Sequence, residues 1–310
     1  MKKHMKKIIL KTILTLGAIA ALLPIGAKAA QGDLYASDNN RIWKITKPGS
    51  TSQTITVFAD LTNPSTGRNY PRIRGLAFDS AGDLYASTLD TSTSFDNQGR
   101  ILKFASNGTF TVFATGLQLP SGIAFDSSGE LWVAGNLGNV YKITPAGAVS
   151  IFTRIGPGAA DPDNPPPTVV QLFGTAFDNA GNLYIAAGIN TIFRITDCGA
   201  VYFAYNFITP FGLLGLAFDS NGNLCASDGG TIIKTAPDGA TQISFADLST
   251  LDVDLRGLAF DSKDNLFVAG HGTNAVYEVT TKGAIVTVAN AATMPVPGFN
   301  VPQYLAFSPK

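Results

Sequence analysis

His271 is the one histidine beyond the first 29 residues, and imidazole is the side chain best suited to moving a proton near neutral pH. Its companions limit what it could do. The same stretch holds only two glutamates, Glu130 and Glu278. It has no Gly-x-Ser-x-Gly, His-Glu-x-x-His or phosphate-loop motif, so nucleophilic chemistry would depend on His271 alone. Oxygen-bearing side chains are more plentiful. Asp38, Asn39, Asp90, Asn136 and Asp228 occupy positions comparable with that of His271. A ring of such oxygens is what Ca2+ or Mg2+ requires, with Asp38 and Asp228 the candidate metal ligands. A second set comprises Arg74, Ser121, Phe173, Leu214, Arg256 and Gln303. Two guanidinium groups beside apolar neighbours suit an anionic or polar ligand, unless acids such as Asp60, Asp252 or Asp254 pair with them.

What makes these positions comparable is a repeat. Gly75-Leu-Ala-Phe-Asp-Ser-Ala-Gly-Asp-Leu-Tyr-Ala-Ser87 returns as Gly122-Ile-Ala-Phe-Asp-Ser-Ser-Gly-Glu-Leu-Trp-Val-Ala134, and three further copies begin at Gly174, Gly215 and Gly257. A sixth is split, with Tyr304-Leu-Ala-Phe307 at the C-terminal end and Gly32-Asp-Leu-Tyr-Ala-Ser37 near the start. Gly-Leu-Ala-Phe alternates as a half-buried strand A. Asp-Ser-x-Gly reverses the chain, because Asp and Ser bond nearby backbone amides and Gly accepts positive φ. Leu-Tyr-Ala-Ser is strand B. Segments such as Arg41-Ile-Trp-Lys-Ile-Thr46 and Asn139-Val-Tyr-Lys-Ile-Thr144 form strand C, and Phe110-Thr-Val-Phe113 and Ile285-Val-Thr-Val288 are examples of strand D.

Four-stranded antiparallel units at this period, without helices between them, predict an all-β fold: a six-bladed β-propeller. The split copy predicts closure, with the C-terminal strand A completing the blade that supplies strands B to D from the N-terminal side. An unclosed ring would leave exposed sheet edges at the seam. Gly122 to Ala134 and the following Asn139-Val-Tyr-Lys-Ile-Thr-Pro-Ala-Gly147 resemble the blades of NHL-repeat propellers and of senescence-marker/gluconolactonase-like propellers. Streptogramin-B-lyase-like propellers are a more distant resemblance. It spans residues 32–310 and implies the blade architecture.

The two enzyme resemblances imply different residues. Gluconolactonase-like propellers combine a glutamate, an asparagine and an aspartate at the channel, with the asparagine preceding the strand-A glycine. Here Arg74, Ser121, Phe173, Leu214 and Arg256 take that place. The lyases use a late histidine with a glutamate and a second histidine. His271 matches the first, no second histidine matches, and Glu278 falls in a strand-C column held elsewhere by Lys44, Lys103, Lys142, Arg194 and Lys234, an exposed polar position. Asp79, Asp126, Asp178, Asp219 and Asp261 recur in the A–B turns and are expected to cap them.

Strand order sorts the loops. The A–B and C–D turns share one face, where lengths are nearly uniform. The B–C loops and D–A connectors share the other, and nearly all the irregular segments fall there, including the proline-rich 156–167 tract. A binding site is therefore expected on the irregular face, around Arg74, Ser121, Phe173, Arg256 and Gln303, with Phe95, Phe211, Met294 and Phe299 as apolar contacts. That face suits a protein, peptide or saccharide ligand.

The N-terminal residues carry a different instruction. Lysines precede the apolar run from Ile8 to Ile25, and Ala27-Lys28-Ala29 offers a cleavage site, so residues 1–29 are expected to be a signal peptide and 30–310 one exported domain, periplasmic or extracellular. The segment holds six lysines and no acid; of 22 basic and 22 acidic residues the remainder keeps 16 and 22, a net charge of about −6. Without basic clusters that balance argues against nucleic acid as a partner. No membrane association is expected after cleavage, and a monomer is favoured. Cys225 sits in an aromatic column and is expected to be buried; a bridge to Cys198 stays open.

Overall fold

The computed structural model describes residues 32–62, 72–89, 99–156, 170–188, 190–206, 212–239, 241–294 and 302–309. Among them, 24 strands form six four-stranded antiparallel sheets and no helix occurs. Blade I runs from strand A at Arg72–Phe78 to strand D at Phe110–Leu117, and blade II from Pro120–Phe125 to Val149–Arg154. Blade III runs from Leu172–Phe177 to Val201–Asn206, blade IV from Leu213–Phe218 to Gln242–Asp247, and blade V from Leu255–Phe260 to Ile285–Asn290. Blade VI is the split one. Tyr304–Phe307 pairs antiparallel with Leu34–Ser37, which continues into Arg41–Thr46 and Thr54–Asp60. Each strand A touches that of the next blade, and blade VI touches blade I, so the ring closes.

The repeat's conserved-looking columns each have a geometric cause. In the A–B turns one carboxylate oxygen accepts the amides of residues two and four further on: Asp79 from Ala81 and Asp83, Asp178 from Ala180 and Asn182, Asp261 from Lys263 and Asn265. Gly82, Gly129, Gly181 and Gly222 follow at φ between 79° and 88°. In blade V the left-handed residue is Asp264 at φ 61°, whose carboxylate instead accepts the Ser220 amide and hydroxyl of blade IV.

The aromatic of strand B meets the strand-A phenylalanine of the next blade edge-to-face. Tyr35–Phe78, Tyr85–Phe125, Tyr184–Phe218 and Phe267–Phe307 have ring centroids 4.9–5.1 Å apart. Such pairs contribute about 0.5–1.5 kcal/mol each beyond area burial. Lys44, Lys103 and Lys142 of strand C lie over the rings of Tyr35, Tyr85 and Trp132, which explains why a cation recurs in that column.

Two positions settle open or different expectations. Cys198 and Cys225 are free thiols; Cys225 is buried where its counterparts are aromatic, and burial pushes its pKa to about 12. Glu278 departs from the exposed position expected of it. It is half-buried against the Gly49 turn of blade VI, and burial with the nearby Asp261 charge raises its pKa.

The strand-A glycines build the axis. A Cβ on Gly75, Gly122, Gly174, Gly215 or Gly257 would lie 2.0–2.7 Å from the carbonyl oxygen of Ser121, Phe173, Leu214, Arg256 or Gln303 in the next blade. No side chain fits, so glycine is what allows six inner strands to approach this closely. The sixth position of this column is Tyr304.

Candidate functional site

In blades I to V the A–B register skips at or beside the residue preceding the glycine. A bulge of this kind re-aims a side chain out of the regular pleat. At four of these positions the side chain is turned toward the channel mouth on the irregular face. Arg74, Phe173, Leu214 and Arg256 there enclose, with Gln303 and Tyr304, a cavity of about 200 Å³. Below it the glycines and Leu76, Ile123, Leu216, Leu258 and Leu305 line a narrower channel of about 50 Å³. Tyr304 borders both spaces. Its hydroxyl lies 2.9 Å from Ser121 Oγ, two blades away, so the ring crosses the axis as a floor between them.

Ser121 consequently differs in role from its neighbours. Expected at the mouth, it is fully buried, and its carbonyl accepts the Ser87 hydroxyl at 2.6 Å. It anchors Tyr304 rather than lining the cavity. Tyr304 was the residue missing from the expected set, although its occupation of a glycine column is visible in the chain.

The two arginines are placed in different electrostatic settings. Arg256 Nε and Nη2 donate to the two carboxylate oxygens of Asp254 at 3.1 and 3.0 Å, and Nη1 donates to Gln303 Oε1 at 2.9 Å. His271 Nδ1 donates to the same Asp254 at 2.6 Å. Burial pushes the Asp254 carboxyl up, but the hydrogen bonds from His271 and Arg256 outweigh it and hold the group well below the usual carboxylate range. Asp252 fixes this chain of contacts from beneath. Its oxygens accept the amides of Asp254, Gly272 and Thr273 and the Thr273 hydroxyl, tying the connector before blade V to that blade's B–C loop. Thus the expected pairing with a loop acid holds for Arg256.

For Arg74 it does not. Among the described residues no carboxylate pairs with it, and Asp60 is engaged by Arg41 at 2.9 Å. With the Asn136 carboxamide oriented so that its nitrogen faces the Leu172 carbonyl, its oxygen lies 3.1 Å from Arg74 Nη2 and accepts from it. Nε of Arg74 is buried without a hydrogen-bond partner.

Among the described residues no three His, Cys, Asp or Glu groups are arranged to hold an ion. Asp38 is buried, one oxygen accepting the Asn40 and Arg41 amides and the other the Trp43 indole at 2.8 Å. Burial raises its pKa despite those bonds. Asp228 is buried at the end of strand B in blade IV, opposite Leu213 and Thr231. Met294 leans on the cluster containing Trp43 and Leu305. Asp90, Phe95, Phe211, Phe299, residues 157–169 and the N-terminal 1–31 lie outside the described residues.

No protein-family model and no curated protein matches the chain. Solved structures do. A chain of a nidogen/laminin complex superposes with a TM-score of 0.69 at 16% identity, over 88% of this chain and 97% of its own. The chain is a six-bladed β-propeller. A catalytically inactive histidine-to-alanine variant of virginiamycin B lyase from Staphylococcus aureus, solved with quinupristin, gives a TM-score of 0.56 at 18% identity, over 77% and 78% of the two chains. A protein provisionally described as a gluconolactonase gives 0.54 at 19%, over 83% and 85%. At these identities the likeness is one of fold, shared by propellers with different activities.

Proposed function

We propose that this propeller is an exported binding module that takes its ligand on the irregular face, at the cavity enclosed by Arg74, Phe173, Leu214, Arg256, Gln303 and Tyr304. The observation that carries the reading is Arg74. A guanidinium group whose Nε is buried without a partner is costly to keep in a fold that does not use it. The nidogen/laminin complex supports a protein or peptide ligand by analogy of fold; a saccharide ligand is the alternative. A peptide and glycan array probed with the wild-type protein and with an Arg74→Ala/Arg256→Ala variant tests it. Array ligands of the wild type should be lost by the variant while the melting temperature is largely kept. Ligands retained by the variant, or lost instead on substituting Lys103 of the opposite half of blade I, would exclude the cavity.

A second reading rests on His271. Nδ1 held by Asp254 at 2.6 Å orients the imidazole, and among the described residues no partner occupies Nε2. That is the arrangement of an oriented general base. Together with the likeness to virginiamycin B lyase it supports a lyase-like activity, with quinupristin as the candidate substrate. Chromatography of quinupristin incubated with wild-type protein and with His271→Ala decides it: conversion by the first alone supports the reading, and no conversion by either removes it.

A further inference from the structure

The charge, the apolar wall and the floor of the mouth cavity together specify a ligand class. We infer that it takes a small monocarboxylate with an apolar body about one ring in size, the carboxylate on Arg74 and the body against Phe173 and Leu214. The inference rests on the cavity being the binding site.

Four features select this chemistry. First, among the described residues one cation at the mouth is without a carboxylate partner. Arg256 already donates from Nε and both terminal nitrogens to Asp254 and Gln303, whereas Arg74 meets no carboxylate among the described residues and keeps a buried Nε unbonded. The one guanidinium without a carboxylate partner matches a single carboxylate; a phosphate would bring a second charge with no second unpaired cation among the described residues to meet it. Second, Phe173 and Leu214 present no polar atom from their side chains, so the adjoining part of the ligand must be apolar. Their low-polarity wall also strengthens attraction at Arg74. Third, about 200 Å³ is a one-ring space, since an apolar cavity of roughly 150 Å³ admits benzene. Fourth, the depth is limited. Tyr304, tethered to Ser121, closes off the channel below, so a longer apolar body cannot extend past the floor.

A free acid and the C-terminal carboxylate of a chain ending in an apolar residue share this chemistry. Calorimetry on the intact protein separates them using phenylacetate, phenylacetamide, and a pentapeptide ending in phenylalanine with a free or amidated C-terminus. At least one acid should bind, about tenfold or more tighter than its amide, as expected for a charge-assisted bond. Arg74→Gln should erase the acid-over-amide preference. Tyr304→Gly should admit 4-phenylbutyrate, which the wild type rejects, while Tyr304→Phe should not. Tighter binding of phenylacetate assigns a free acid, and tighter binding of the peptide a chain terminus.

Equal binding of acid and amide to the wild type overturns the inference without any variant, as does a preference that survives Arg74→Gln. No binding of any acid at about 10 mM overturns it too, since mM affinity is the weak end of specific recognition. If acids fail while array ligands still depend on Arg74 and Arg256, the ligand class is wrong and the site stands. If both fail, the site itself falls.

Discussion

Gly215→Ala should be among the most damaging single-methyl additions in this protein, and it should damage the site as well as the fold. An ideal Cβ at Gly215 lies 2.0 Å from the Arg256 carbonyl oxygen, against about 3.4 Å for ordinary contact. The inner strand of blade V would have to retreat by more than an ångström. That carbonyl also accepts the Ser227 hydroxyl at 2.9 Å, so retreat breaks a bond within the wall of the axis. The backbone of Gly215 has no positive φ, so the cost is steric. Overpacking against rigid backbone puts it at about 3–5 kcal/mol. Gly129→Ala is the control. Its φ is 82°, but nothing lies within 4 Å of the added carbon, so only left-handed strain applies, about 1–2 kcal/mol. For a domain of this size about 1 kcal/mol shifts the melting temperature by roughly 2 °C, so the two variants should separate by several degrees. Urea and thermal unfolding measure this directly. Equal losses, or a greater loss for Gly129→Ala, would refute the close approach of inner strands on which the ring is built.

Other consequences follow from the same contacts. Deleting residues 304–310 removes the strand paired with Leu34–Ser37 and should abolish the cooperative transition, whereas Leu305→Ala, in the cluster around Trp43, should cost about 2–4 kcal/mol by tryptophan fluorescence. A thiol reagent at pH 8 should label exposed Cys198 and leave Cys225 unmodified until unfolding; labelling of both in the native state would contradict the burial that raises Cys225 to about 12. Asp254 has a lowered carboxyl pKa, so the stability it contributes is present above the unfolded value near 3.9 and drains away as pH falls below it. Asp254→Asn should therefore flatten the acid limb of the stability profile between about pH 4 and pH 2; an unchanged limb would remove that role.

Much of the architecture was legible because it is periodic. The Gly-Leu-Ala-Phe-Asp copies carried the blade, the turn and the inner strand, and the split between Tyr304 and Gly32 carried the closure. The positions preceding the strand-A glycines were legible for the same reason, but the alignment did not separate buried Ser121 from the four residues that line the cavity. What the alignment could not supply was which long side chain finds a partner. Arg74 and Arg256 occupy the same column, yet the connector before blade V carries Asp254 two residues from Arg256, while among the described residues Arg74 meets Asn136 and no carboxylate. Nor does a column reveal a side chain that leaves it. Tyr304 crosses to Ser121 because the cavity there is open, a fact set by six strands at once. Glu278 became half-buried through Gly49 of the neighbouring blade, again a contact between distant segments.

The central claim is that the irregular-face cavity is a recognition site anchored on Arg74. Crystals soaked in phenylacetate test it most directly. The expected density shows a carboxylate paired with the Arg74 guanidinium, the ring against Phe173 and Leu214, and Tyr304 in place beneath. A ring bound in the groove between Trp132 and Phe177 on the opposite face, with Arg74 still unpaired, would contradict it.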